Sequence, residues 1–279
     1  MTPVPNHRRG WFAGPVAAKV PEITFLFWVV KILTTAGGEA TSDYLALDLG
    51  SRFIAGCIEA VILVIGLVWQ FSTRRYKAAA YWFLAYAIAI FGTGVSDALH
   101  LFVGIPYAGT TALWAVVLAL VFWLWYRSER TLSIHSIFTT RREIYYWCVV
   151  FATFALGTAL GDFTATAVHL GYLASGIMFG VVILIPAVLW RGFRLNAVVA
   201  FWFAYVVTRP LGASFADYVS KPHSISGINF GDGPTALIAT ILVFVLVGYL
   251  AVTRTDIQPP VNQGQSARPA TVRDGVAGK

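Results

Sequence analysis

The sequence predicts an all-α polytopic membrane protein: eight transmembrane helices forming four parallel (same-orientation) two-helix repeats around a pseudo-symmetry axis along the membrane normal. Three observations predict it. The chain of 279 residues is 58% hydrophobic and only 12% charged, about half the charged share of a soluble domain. Its apolar residues gather into eight runs, each near the roughly 20 residues that cross about 30 Å of hydrocarbon. A signature of four residues recurs at fixed spacing through alternate runs.

The elements follow in order. Residues 1–19 are a polar segment with no apolar stretch or cleavage site of a signal peptide. Repeat 1 (20–71) holds VPEITFLFWVVKILTTAGGEA and FIAGCIEAVILVIGLVWQF, and repeat 2 (78–126) holds AAAYWFLAYAIAIFGTGV and TTALWAVVLALVFWLWY. A linker (127–142) ends in Thr140-Arg-Arg-Glu143, which reads as a capping box opening the fifth span. Repeat 3 (143–190) and repeat 4 (196–252) supply the last four spans. Residues 253–279, rich in Pro, Gly and Gln, read as a disordered tail. Cys57 and Cys148 lie inside spans, so neither a disulfide framework nor a zinc spacing is present.

The net charge of +7 reports topology rather than nucleic-acid binding. Arg8, Arg9 and Lys19, Arg74, Arg75 and Lys77, Arg127, Arg130, Arg141 and Arg142, Arg191 and Arg194, and Arg254, Arg268, Arg273 and Lys279 all fall on one side of the predicted spans. The other side has Arg52 and Lys221. The positive-inside rule then places both termini in the cytoplasm of a bacterial inner membrane.

Aligning the odd-numbered spans on Trp28, Trp82, Trp147 and Trp202 exposes the repeat. Ten residues on stand Gly38, Gly92, Gly157 and Gly212; fourteen on, Ser42, Ser96, Gly161 and Ala216; fifteen on, Asp43, Asp97, Asp162 and Asp217. Each tryptophan is expected in an interfacial aromatic belt. At 1.5 Å per residue each aspartate then lies about 22 Å further along, so the four form one layer near the opposite face. Glycine and a small residue four apart offer a face for close helix packing.

The stretches KVPEITFLFWVVKILTTAGGEATSDYL, LGTALGDFTA and FWFAYVVTRPLGASFADYV resemble the bacterial membrane-anchored proteins built from four tandem two-helix repeats of unknown function, each with a tryptophan. The resemblance covers roughly residues 19 to 252, with YWFLAYAIAIFGTGVSDAL its least typical copy. It implies the repeat architecture and no activity.

Function is therefore argued from charged residues. An acid inside a span is costly and marks a functional site by default. All four repeats end in a carboxylate, although the helix dipole disfavours one there. Four before the aspartate the repeats read Glu39, Thr93, Thr158 and Ala213, so Glu39 is unique to the first. Lys31 and Arg209 are the basic residues well inside spans, and Glu59 is an extra acid in the second. Units one and four become neighbours if the ring closes, and Lys31, Glu39, Glu59 and Arg209 could then form one buried network, whose bland counterpart is charge pairing for tolerance in lipid. Pro210 after Arg209 is expected to free the carbonyl of Val206 and kink its helix. Asp97 with His100, and Asp162 with His169, are candidate metal pairs, though an interfacial polar role suits each histidine better.

These residues point to an integral membrane transporter or channel for a small cation, a divalent metal ion or a proton-coupled substrate, with efflux or resistance as its setting. Oxygen ligands suit hard cations. A non-transporting scaffold that binds a partner is the alternative, and an intramembrane haem or metal enzyme the third reading. No HExxH, GxSxG, nucleotide-binding loop or haem attachment motif supports an enzyme. No cofactor is expected beyond a divalent ion as substrate. The expected partners are the lipid bilayer, a small cation and further copies of the chain, with no nucleic acid.

Overall fold

The computed structural model describes residues 18–48 and 50–258. The expected disordered tail lies outside these residues except for its first few positions. The described chain is helical, without strands: α1 (Phe25–Asp48), α2 (Arg52–Ser72), α3 (Ala78–Leu101), α4 (Tyr107–Glu129), α5 (Thr140–Asp162), α6 (Tyr172–Val182), α7 (Leu184–Phe193), α8 (Ala197–Ser220) and α9 (Asp232–Thr253). Seven stretches are long and apolar enough to cross a membrane: α2, α3, α4, α5 with its extension, α6–α7 together, α8 and α9. The chain is a multi-pass membrane protein. Helix α1 falls outside that set because Lys31 and Glu39 interrupt its apolar run.

Local chemistry sets the ends. Ser51 caps α2 by accepting from Ile54 N, and Asn196 caps α8 by accepting from Val198 N at 2.8 Å. At α5 the cap is Thr139, accepting from Arg142 N at 3.3 Å, one residue before the expected Thr140. Glu143 is not free for a capping box, because Lys19 holds its carboxylate at 2.8 Å. Helices α4, α7 and α9 each end on an arginine in the left-handed region, Arg130, Arg194 and Arg254, where positive charge meets the helix dipole.

Three elements depart from straight spans. The sixth span breaks at Ile183, because the ring of Pro186 opposes the carbonyl of Val182 one turn back. After Asp162 the chain loosens into a π turn, Phe163–Ala167, before His169 takes a positive φ of 61°. Pro210 lies inside α8, which runs on through it from Ala197 to Ser220.

The packing is cyclic in chain order. Helices α1, α3, α5 and α8 form an inner four-membered ring, each touching the next and α8 touching α1. The apolar cores of α3, α5 and α8 are 67%, 72% and 61% buried, against 22–28% for the remaining candidate spans, which assigns these to the outside. Each outer helix leans mainly on the inner helix of the following unit: α2 on α3, α4 on α5, α6 and α7 on α8, and α9 on α1.

The repeat glycines explain how the inner ring closes. A Cβ on Gly38 would meet Ala89, one on Gly92 would meet Phe154, one on Gly157 would meet Arg209, and one on Gly212 would meet Thr35. Each partner stands eight residues before its own repeat aspartate, so one register is used four times around the ring. Such backbone approach is available only to residues without a side chain.

The amino-terminal end of the ring is sealed. Phe27, Tyr81, Tyr146, Trp82, Trp147, Phe201 and Trp202 pack into one core, and the hydroxyls of Tyr81 and Tyr146 are hydrogen-bonded. Trp82, Trp147 and Trp202 are thus core residues rather than an interfacial belt. Trp202 Nε1 donates to Leu132 O at 2.9 Å and so fastens the 127–142 linker beneath. Lys19, Glu143 and Gln70 form a buried polar knot, with Gln70 Nε2 donating to Glu143 Oε1 at 2.9 Å. Tyr76 donates to Asp256 Oδ2, and the backbone of Asp256 accepts from Glu22 N at 2.8 Å. Burial pushes the carboxyl of Asp256 above its ordinary pKa, against the opposite pull of the Tyr76 hydrogen bond.

Candidate ion site at the carboxyl ends of the inner helices

Helical spacing brings the positions four before each aspartate to one level, and the inner ring turns three of them onto a common point. Arg209 fills that point from α8 and is fully buried. Its Nη2 donates to Glu39 Oε2 at 2.5 Å, to Thr158 Oγ1 at 2.8 Å and to Thr93 Oγ1, while Nη1 donates to Thr35 O at 3.0 Å. Thr93 and Thr158 also donate to Glu39 Oε2, at 2.9 and 3.0 Å. The missing side chain of Gly157 gives the stem of Arg209 its passage, since a Cβ there would strike Arg209 Cβ and Cγ. A buried charge pair with this many hydrogen bonds is tolerated in an apolar interior.

Above this plug, toward the carboxyl ends, opens a cavity of about 720 Å³. Asp43, Asp97, Asp162 and Asp217 all line it, with Glu39, Glu59 and Lys221. The structure places the aspartates within or close to the last turns of their helices: α1 runs five residues past Asp43, and α3 four past Asp97. Asp43 accepts from Lys221 Nζ at 2.6 Å, and Glu59 from Ser42 Oγ at 2.7 Å. The carboxylates of Asp97, Asp162 and Asp217 accept no side-chain hydrogen bond and form no ion pair among the described residues. One oxygen each from Glu39, Asp43 and Asp217 fall within 4.8 Å of one another, a spacing that could hold a metal ion.

Lys221 follows α8 and reaches into the cavity mouth, where Asp232 also holds it, at 3.1 Å. Burial alone would lower its pKa. The carboxylates of Asp43, Asp217 and Asp232 overcome that and raise it above the ordinary lysine value.

The sequence candidates separate as follows. Arg209 and Glu39 are joined. Glu59 faces Gly94 of α3 and lies outside that bond. Lys31 is buried with its Nζ unpartnered, against the rings of Tyr205 at 3.7 Å and Phe154 at 4.7 Å. His100 stacks on Tyr107 at 3.8 Å and uses Nδ1 on Ile105 O, while His169 lies exposed beyond the π turn. Among the described residues neither histidine joins a group of three with metal-ligand spacing.

Sequence reasoning missed Lys221 and Asp232. A signal for Lys221 existed: it follows Asp217 by four residues, one helical turn on the same face. Asp232 had none, because its place depends on how the connection from α8 folds back.

No curated protein and no solved structure matches the chain. A family model described as Repeat of Unknown Function (DUF347) matches it four times, over residues 26–76, 80–131, 145–195 and 200–256. Those four copies take up most of the chain, which belongs to this repeat family.

Proposed function

We propose that the protein is a transporter for a small divalent cation, and that the conformation described here is one with its site open at the aspartate end. The observation carrying this is the cavity lined by six carboxylates, Asp43, Asp97, Asp162, Asp217, Glu39 and Glu59, against Lys221 and Arg52. Acidic rings of this kind raise local cation concentration. Opposite the opening, Arg209 and the aromatic core close the ring, which favours a carrier with alternating access over an open channel.

On this reading α1 is the eighth crossing, sheltered from lipid by α3, α8 and α9. The four units share one orientation about an axis along the membrane normal. The distribution of arginine and lysine favours cytoplasmic termini in a bacterial inner membrane, so the cavity faces outward.

The test is uptake of Mn²⁺, Co²⁺ and Mg²⁺ into liposomes holding the full chain. Ion-dependent flux that falls in Asp217→Asn supports the reading. Flux equal to that of empty liposomes, from protein that remains monodisperse, sinks it and leaves a non-transporting scaffold.

A further inference from the structure

We propose that Lys31 is a proton-binding site that exchanges its proton for the cation taken at the acidic cavity; this rests on the cation reading above. The inference comes from charge arithmetic at the centre of the ring. Three enclosed charged side chains lie there: Lys31, Arg209 and Glu39 are 2%, 0% and 3% exposed, and Lys31 and Arg209 both lie against the ring of Phe154. Arg209 keeps its charge at all accessible pH, and it is bonded to Glu39. That pair is neutral and leaves Lys31 with no counter-ion.

The surroundings of Lys31 pull its proton both ways. Its Nζ has no hydrogen-bond partner, and enclosure disfavours the ammonium. The faces of Tyr205 and Phe154 favour it. Arg209, from α8, repels it, while Glu39, two turns along α1, attracts it. On α3 and α5 the buried Tyr81 and Tyr146 are bonded to each other, Tyr86 of α3 is bonded to Thr41 and Thr240, and Glu59 of α2 to Ser42. Helix α9 brings only Asp232 and Tyr249, toward its two ends. No element supplies a fixed anion to Lys31, so its proton is held without being locked.

A divalent cation entering past Asp43 and Asp217 reaches Glu39, the anchor of Arg209. Shared with the cation, Glu39 no longer balances Arg209 fully. The centre then carries three positive groups against one carboxylate, and Lys31 alone among them can become neutral. Its N–H bond breaks, the electron pair stays on nitrogen, and the proton passes to water. By linkage, returning the proton to Lys31 weakens the hold on the cation by the same factor.

The experiment titrates Mn²⁺ into the purified full chain in detergent, calorimetrically, in buffers of different ionisation enthalpy across a pH series. It reads the protons released per ion bound. The cavity carboxylates shed protons in every variant, so the informative quantity is a difference. At its largest, wild type should release about one proton more per ion than Lys31→Met, which still binds Mn²⁺. Lys31→Gln, a polar replacement measured alongside, should behave as Lys31→Met does. Equal release from wild type and both variants overturns the proposal and leaves the cation reading standing. A wild type that binds no Mn²⁺ overturns both, and that outcome is recognisably different from the first.

Discussion

Arg209 of α8 and Glu39 of α1 meet at 2.5 Å in the middle of the inner ring, a buried ion pair that joins the fourth repeat to the first. Removing one partner strands the other as a buried charge. Glu39→Ala should cost about 3–5 kcal/mol, whereas replacing both residues by methionine should be close to neutral. Thermal unfolding of the detergent-purified variants reads both, and a Glu39→Ala melting point matching wild type would contradict the picture.

The seat of Arg209 makes a second prediction. Gly157→Ala forces a methyl group into the Arg209 stem and should cost about 1–3 kcal/mol through overpacking. Gly56→Ala, where nothing lies within 4 Å, should be neutral or slightly stabilising, because alanine is the better helix former. The pair separates close approach from glycine content.

Lys221 behaves as a tethered cation at the mouth of the cavity. Lys221→Gln should tighten Mn²⁺ binding about ten-fold, a change of about 1.4 kcal/mol. Since the folded pKa of Lys221 is raised, its contribution to stability is complete below the ordinary lysine value and is lost only as pH rises through the raised one. Chemical unfolding between neutral and mildly acidic pH should therefore show no step removed by this substitution.

Asp256 follows the same sign in a lower pH window. Its folded pKa is raised, so the folded state loses stability as pH climbs from the ordinary carboxylate range through the raised value. Asp256→Asn still accepts from Tyr76 and should flatten that slope, by less than about 1 kcal/mol for an exchange that retains the hydrogen bond. Melting temperatures recorded from acid to neutral pH check it.

Among the four aspartates, Asp217 shares the three-oxygen group with Glu39 and Asp43. Asp217→Asn should weaken Mn²⁺ binding at least ten-fold, about 1.4 kcal/mol. Asp97→Asn and Asp162→Asn should weaken it less. Calorimetry ranks them, and equal losses at all four positions would replace the localised site with a diffuse acidic field.

Much of this was legible in the sequence because the repeat has rigid spacing. The interval of ten residues from tryptophan marked the glycines before any contact was visible, and helix rise put Arg209 near Glu39. The partner of each glycine was not legible. A side chain that fills another helix's gap, as Ala89 fills that of Gly38, is named only once the register between helices is known. Lys31 lies two turns before Glu39 on α1, and Glu59 bonds Ser42 beyond it, so neither joins the central pair, and hydropathy does not encode these partners. Pro186 was a readable warning of the broken sixth span, whereas the π turn after Asp162 left no such mark.

The order in which outer helices lean on inner ones has a consequence for biogenesis. Because α9 covers α1, the helix that carries Lys31, Glu39 and Asp43 is made well before its cover and waits for it to arrive. Until then those charges face lipid, translocon or chaperone. A nascent chain stalled after its third repeat would thus hold an unshielded, charged first helix, a natural degron for membrane quality control.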